Sequence, residues 1–359
     1  MNRVVRKVAR AVLPRGIRYR LAAVREWGGV LWNYFKMRSA VFNLFGPVPA
    51  RPNALYIEGT NICNAKCVFC AYPQMERPKV VMAMDVFKGA IDQHLAMGST
   101  EVDLTPIVGD PFVDKHLFER LDYLQSKPEI SGYHFYSNVI LMKPEFIERL
   151  ITYDERLSIF CSFGGFDRET YKVVMGVDKF QEAVDAIRNL IEAKEKTGSK
   201  IKVQVNLRTP RGNPKGEFWE YLQKKRDSGT ITIDGVDDFD NWGGDITDEV
   251  LKSAGLVPKP LPVHRGPCHR LITSPVVLAD GRVNACACRD VEATLIIGDL
   301  KKESLRDILA GPKLREYLSM HDRGEFPDAC KVCTRYDSIY PKWMQGSLWK
   351  AAHWLISGR

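Results

Sequence analysis

The stretch Leu55-Tyr56-Ile57-Glu58-Gly59-Thr60-Asn61-Ile62-Cys63-Asn64-Ala65-Lys66-Cys67-Val68-Phe69-Cys70 decides how the chain is read. Residues Ala54–Thr60 read as a first β-strand, and three cysteines follow it within eight residues. Thiolates are the usual ligands of iron–sulfur clusters. Three of them in one short loop bind three irons of a [4Fe–4S] cube and leave the fourth iron open to a substrate or cofactor. A closed structural zinc site asks for four ligands. An odd count in a chain without a readable secretion signal speaks against a disulfide. The alternatives are a zinc half-site or three buried structural cysteines. The position after a first strand, where α/β sheets place their ligands, favours the cluster.

Outward from that loop, strands alternate with amphipathic helices. Further strands are predicted at Glu101–Thr105, Gly132–Ser137, Leu157–Phe163, Lys200–Arg208 and Thr230–Gly235. Helices are predicted at Asp85–Met97, Lys115–Gln125, Pro144–Ile151, Phe180–Thr197 and Pro214–Ser228. This alternation implies a parallel sheet, doubly wound or curled into a barrel, and six βα units are too few to close an eight-stranded one. Past Pro258-Lys259-Pro260 the periodicity stops, and a loop-rich, cysteine-bearing region follows with one clear helix around Leu305–Ser319. The expected organisation is a basic amphipathic segment at 1–53, a core at 54–260, a small metal-held domain at 261–340 and an aromatic, basic segment at 341–359.

The net charge of +8 is unevenly placed. Residues 1–38 carry ten Lys or Arg against Glu26, so the rest of the chain is close to neutral. The tail reads as a solvated helix or as an interfacial helix on anionic lipid, helped by Trp343, Trp349 and Trp354. No nucleic-acid-reading motif supports a nucleic-acid partner. No stretch has the 18 uncharged apolar residues of a membrane span. The expected location is cytoplasmic, with peripheral membrane contact as a variant.

The run Cys63-x3-Cys67-x2-Cys70, with Phe69 just before the last cysteine, resembles the radical S-adenosylmethionine (SAM) superfamily. The resemblance implies that the open iron is chelated by the amino and carboxylate groups of SAM. Electron transfer then cleaves SAM to a 5′-deoxyadenosyl radical, which removes a hydrogen atom from an unactivated C–H bond. The protein positions the reactants and excludes water. Val108-Gly109-Asp110-Pro111 stands where the family has Gly-Glu-Pro for the SAM amine, with Asp in place of Glu. Ser137-Asn138-Val139 resembles its Thr/Ser-Asn-Gly turn, and Ser162-Phe163-Gly164-Gly165 its Ser-Ile-Asp-Gly pattern. Arg208, ending the fifth strand, is placed to pair with a carboxylate of SAM or substrate. Phe69, Gly109, Asp110, Asn138, Ser162 and Arg208 are thus the expected cofactor-binding residues. The implied fold is a partial (β/α)6 barrel of parallel strands.

A second set, Cys268, Cys286, Cys330 and Cys333, supplies the four thiolates that close a cluster. Gly281 in Ala-Asp-Gly-Arg fits a hairpin turn between them. The set resembles the auxiliary-cluster modules called SPASM and twitch, and implies a second [4Fe–4S] cluster; a zinc site is the alternative. Cys288 is spare, as a near-ligand, a core residue or a catalytic hydrogen-atom donor. Cys161 neighbours Ser162 and so points to the opposite face of its strand.

Three readings of the reaction follow. One is abstraction of a carbinol hydrogen from a carbohydrate or cyclitol, lipid-linked in one variant, ending in epimerisation or two-electron oxidation. Another is a peptide or protein maturase, for which the 53 residues before the first strand are short and basic. The third is a non-catalytic iron–sulfur scaffold, which has no use for an open cluster. An enzyme of this kind needs a reducing donor such as flavodoxin or ferredoxin.

Overall fold

The structure is a computed structural model that describes Pro52, residues 54–287 and residues 289–339. The basic N-terminal segment, Cys288 and the aromatic C-terminal segment otherwise lie outside the described residues.

Strands β1 (Leu55–Ile57), β2 (Glu101–Asp103), β3 (Gly132–Ser137), β4 (Leu157–Phe163), β5 (Lys202–Leu207) and β6 (Thr232–Gly235) run parallel, each paired with the next. Helices Met84–Ala96, Leu117–Gln125, Pro144–Leu150, Phe180–Thr197 and Glu217–Asp227 make crossovers between them, as parallel neighbours require. Burial alternates strictly where the sequence alternates. On β4 Leu157, Ile159, Cys161 and Phe163 are fully buried while Ser158, Phe160 and Ser162 stay partly open. On β3 Tyr133, Phe135 and Ser137 are buried and His134 and Tyr136 are not. One face of the sheet is therefore covered, and each large side chain on it is worth about 1.5–3 kcal/mol as an upper estimate. The other face is left open.

The sheet does not close, as six parallel strands led us to expect, but it is wider than the sequence suggested. β7 (Val276–Val277) adds in parallel to the free side of β1, and β8 (Arg282–Asn284) and β9 (Ile296–Asp299) follow antiparallel, giving the order β6-β5-β4-β3-β2-β1-β7-β8-β9. The cysteine-rich region is thus built onto the same sheet. Gly281, at φ +92°, makes the turn between β7 and β8. The helix expected around Leu305–Ser319 is two, Leu305–Ala310 and Pro312–Asp322. Pro312 lacks the N–H that would continue the first and restrains the backbone of Gly311 before it. A short helix, Arg168–Met175, was not read from the sequence. It follows Gly164-Gly165, where an added Cβ would meet Met175 Cγ at 2.5 Å and Tyr171 N at 2.6 Å.

Candidate active site

The loop after β1 carries Cys63, Cys67 and Cys70, all free and half-buried. The end of the Arg168–Met175 helix holds it, because Lys66 N donates to Met175 O (3.2 Å) and Val68 N to Val174 O (3.0 Å). Gly176 makes this approach possible. Its φ is +66°, and a Cβ there would lie 2.0 Å from Lys66 O. Burial pushes the Cys63 thiol up to about 12 and the Cys70 thiol up to about 11. Cys67 is also raised, by burial first and then by the charges of Cys70 and Cys63. Buried thiols that resist ionisation in one another's company are a donor set that cationic iron relieves. Among the described residues no three His, Cys, Asp or Glu side chains gather around a single metal ion.

Gly109 and Asp110 lie beside this loop. Gly109, at φ +108°, would place a Cβ 2.2 Å from Thr60 O, so only glycine fits the close approach. Asp110 is fully buried, and its N–H donates to Ile62 O at 2.9 Å. One carboxylate oxygen accepts from Phe112 N (3.0 Å), the other from Ser137 Oγ (2.9 Å) and Asn138 N (2.9 Å). Burial raises its pKa against these three bonds. The sequence suggested Asp110 for the SAM amine; here one oxygen caps the short turn at Phe112 and the other holds the end of β3. That turn presents Asn138, whose Nδ2 donates to Asn64 Oδ1 at 2.8 Å and lies 3.9 Å from Cys63 Sγ. Val139 takes φ +59° with its side chain fully buried, a left-handed conformation uncommon for a β-branched residue.

Arg208 reaches the same end of the sheet. Its guanidinium lies 6.0 Å from the Phe69 ring, and its Nε is buried without a hydrogen-bond partner. Desolvation lowers its pKa from the usual arginine value. Such a group suits an anionic ligand. Phe69 is tied down by residues that the sequence did not single out. Trp242 Nε1 donates to Phe69 O at 2.7 Å, Arg289 stacks 4.4 Å over the Trp242 ring, and Asp240 pairs with Arg289. Burial opposes the Asp240 charge, but Arg289 wins and holds its pKa below the usual range. The only signal for this connection in the sequence was the turn-like Asp240-Asn241-Trp242-Gly243-Gly244.

Cys268, Cys286, Cys330 and Cys333 line one cavity together with Arg289 and Arg335. Burial raises the Cys268 and Cys330 thiols and pushes Cys333 up to about 11, with Cys268 adding repulsion to the last two. Four thiols around one cavity with arginines on its wall fit an anionic, fully ligated cluster. His321, fully buried, accepts from Cys268 N at 3.3 Å through Nδ1. Cys288 lies outside the described residues. Cys161 is fully buried on the covered face of β4, opposite Ser162.

The open face of the sheet carries polar and aromatic side chains in rows. Register puts Tyr56, Asp103, His134 and Ser158 in one row, Tyr136, Phe160 and Gln204 in the next, and Ser162 and Asn206 above them. Asp103, Arg208, Asp234 and Tyr56 all act electrostatically on Tyr136, so these side chains share one space.

Residues 57–223 match the family model described as the radical SAM superfamily, and residues 268–334 one described as an iron–sulfur cluster-binding domain, SPASM. The chain is a radical SAM superfamily enzyme with a SPASM domain. Its cofactors are SAM, a SAM-binding [4Fe–4S] cluster and an auxiliary iron–sulfur centre. Similar solved structures include BtrN in complex with AdoMet and 2-DOIA, at 16% identity over 80% of this chain and 94% of that one, TM-score 0.49. Another is native anSMEcpe with bound AdoMet, at 15% identity over 75% of this chain and 84% of that one, TM-score 0.48. No curated protein matches the sequence. Among the described residues no helix is long and apolar enough to cross a membrane.

Proposed function

We propose that this enzyme removes a carbinol hydrogen from a carbohydrate or cyclitol and converts that carbon by epimerisation or two-electron oxidation. The observation that carries this reading is the chemistry of the open sheet face. Tyr136 and Phe160 sit with ring centroids 4.6 Å apart and planes tilted by 33°, an aromatic wall for the C–H face of a saturated ring. Around them stand hydroxyl-binding groups, with Gln204 donating to Asn206 Oδ1 at 2.6 Å and Asp103 close by. An apolar wall with a few convergent polar groups is how a polyol is both held and oriented.

In this reading Cys63, Cys67 and Cys70 hold the SAM cluster, and SAM, when bound there, supplies the hydrogen-abstracting radical. Gly109 and Asn138 shape the wall beside it, and Phe69 and Arg208 bound its other side, Arg208 meeting a carboxylate. Ser162 faces the substrate from β4. Cys268, Cys286, Cys330 and Cys333 hold the auxiliary cluster, and a flavodoxin- or ferredoxin-type donor supplies the electron. The basic segment 1–53 brings the enzyme to an anionic membrane surface. The test is anaerobic turnover of the reconstituted enzyme with carbinol-deuterated hexosamines and cyclitols, following deuterium into 5′-deoxyadenosine. Deuterium from a sugar or cyclitol supports the reading; deuterium acquired only from labelled peptides overturns it.

A further inference from the structure

We infer that His134, held by Asp103, is a catalytic base on the open sheet face, and that it directs the reaction to oxidation. The inference rests on the carbinol reading above. His134 and Asp103 are register partners on β3 and β2, and both point away from the covered core. His134 Nε2 lies 3.3 Å from Asp103 Oδ2, with the two side chains 29% and 10% exposed. The other Asp103 oxygen accepts from Thr105 N at 2.9 Å, which fixes the carboxylate. Thr105 Oγ1 in turn accepts from Tyr136 N at 2.6 Å, so the dyad and the aromatic wall are built as one unit. The imidazole is packed edge-on against Phe160 (5.2 Å) and Tyr136 (6.0 Å). With Nε2 facing the carboxylate, Nδ1 is the nitrogen left to take a proton. A carboxylate that orients an imidazole beside the substrate face is the arrangement of a general base.

Its use follows from the balance of the reaction. Loss of a hydrogen atom from the carbinol carbon leaves a carbon radical that still bears its O–H. Oxidation to the carbonyl requires that this O–H bond break, its proton passing to His134, while one electron passes to an oxidised iron–sulfur acceptor and C–O becomes C=O. Deprotonation makes the radical a far stronger reductant, so a base at this place pulls the reaction to the ketone. Epimerisation needs instead a hydrogen-atom donor. Of the two thiols outside the cysteine sets, Cys161 is buried on the opposite face and Cys288 lies outside the described residues, so the inference rests on the dyad and its test includes the inverted product.

The experiment uses the reconstituted enzyme, wild type and His134→Gln, with SAM, dithionite and carbinol-deuterated N-acetylglucosamine and myo-inositol as probes. Deuterium in 5′-deoxyadenosine reports C–H abstraction, mass spectrometry reports the ketone, freeze-quench electron paramagnetic resonance reports the organic radical, and equilibrium dialysis reports probe binding without turnover. We expect the variant to bind the probe and transfer deuterium within about threefold of wild type, to lose ketone at least about 100-fold and to accumulate the radical. A parallel fall in deuterium transfer, binding and ketone would make His134 a structural or binding residue and overturn the base. So would an unchanged ketone yield, or a wild type that gives an inverted product carrying one solvent deuterium. Failure of wild type to transfer deuterium from either probe, with transfer from a labelled peptide, removes the carbinol reading and the base with it.

Discussion

The two cysteine sets solve one problem by different means. Cys63, Cys67 and Cys70 come from eight consecutive residues, and the fold has only to hold one loop still. It does so through backbone, with two hydrogen bonds from the end of the Arg168–Met175 helix and glycines at 109 and 176 where nothing larger fits. Cys268, Cys286, Cys330 and Cys333 come from 66 residues of chain, and what unites them is a cavity with arginines on its wall. The first set is held by the backbone packed around its loop. The second joins segments to one another, so on the proposed assignment its metal carries part of the folding energy of its region. Trp242 ties the two together, reaching Phe69 on one side and Arg289 on the other.

The largest expected effect lies in the second set. Cys268→Ala with Cys333→Ala should remove about half of the roughly eight irons of two cubes and lower the melting temperature markedly, while SAM cleavage continues. If both iron centres vanish together, the first loop is not held by its own backbone. Next comes Gly176→Ala. The left-handed backbone and a 2.0 Å approach to Lys66 O together should cost about 3 kcal/mol or more. Iron should fall at the first site while the auxiliary signal stays, as paramagnetic resonance would show.

Trp242→Phe keeps the ring and removes the N–H bond to Phe69 O, so denaturant unfolding should register about 1 kcal/mol. An effect on the spectrum of both clusters would sharpen the view of Trp242 as a shared strut; no effect at all would break it. The smallest change is expected for Val139→Gly. Relief of a left-handed β-branched backbone, about 1–3 kcal/mol, offsets the loss of a buried side chain worth about 1.5–3 kcal/mol. A net change below about 1 kcal/mol is expected there.

The same contrast explains what the sequence disclosed. β3 and β4 were legible to the residue, Gly132–Ser137 and Leu157–Phe163, because their period-two burial is written in the side chains. The first cysteine loop was legible because its ligands are neighbours. The attachment of β7 to β1 was not, since parallel pairing of Tyr56 with Val276 spans 220 positions and leaves no local mark. The partners of Asp110 were hidden for the same reason, as two of the three, Ser137 and Asn138, lie at the end of another strand. The dyad of His134 and Asp103 was half visible. Alternation put His134 opposite Tyr133 and Phe135, but only strand register placed Asp103 beside it.

The central claim is that Cys63, Cys67 and Cys70 hold the cluster that cleaves SAM. The most direct measurement replaces all three with alanine, reconstitutes the chain anaerobically, and compares iron content and 5′-deoxyadenosine formation with wild type under SAM and dithionite. The account expects iron to fall from about eight to about four per chain, the auxiliary cluster to remain, and 5′-deoxyadenosine to disappear. Undiminished 5′-deoxyadenosine from the triple variant would contradict it.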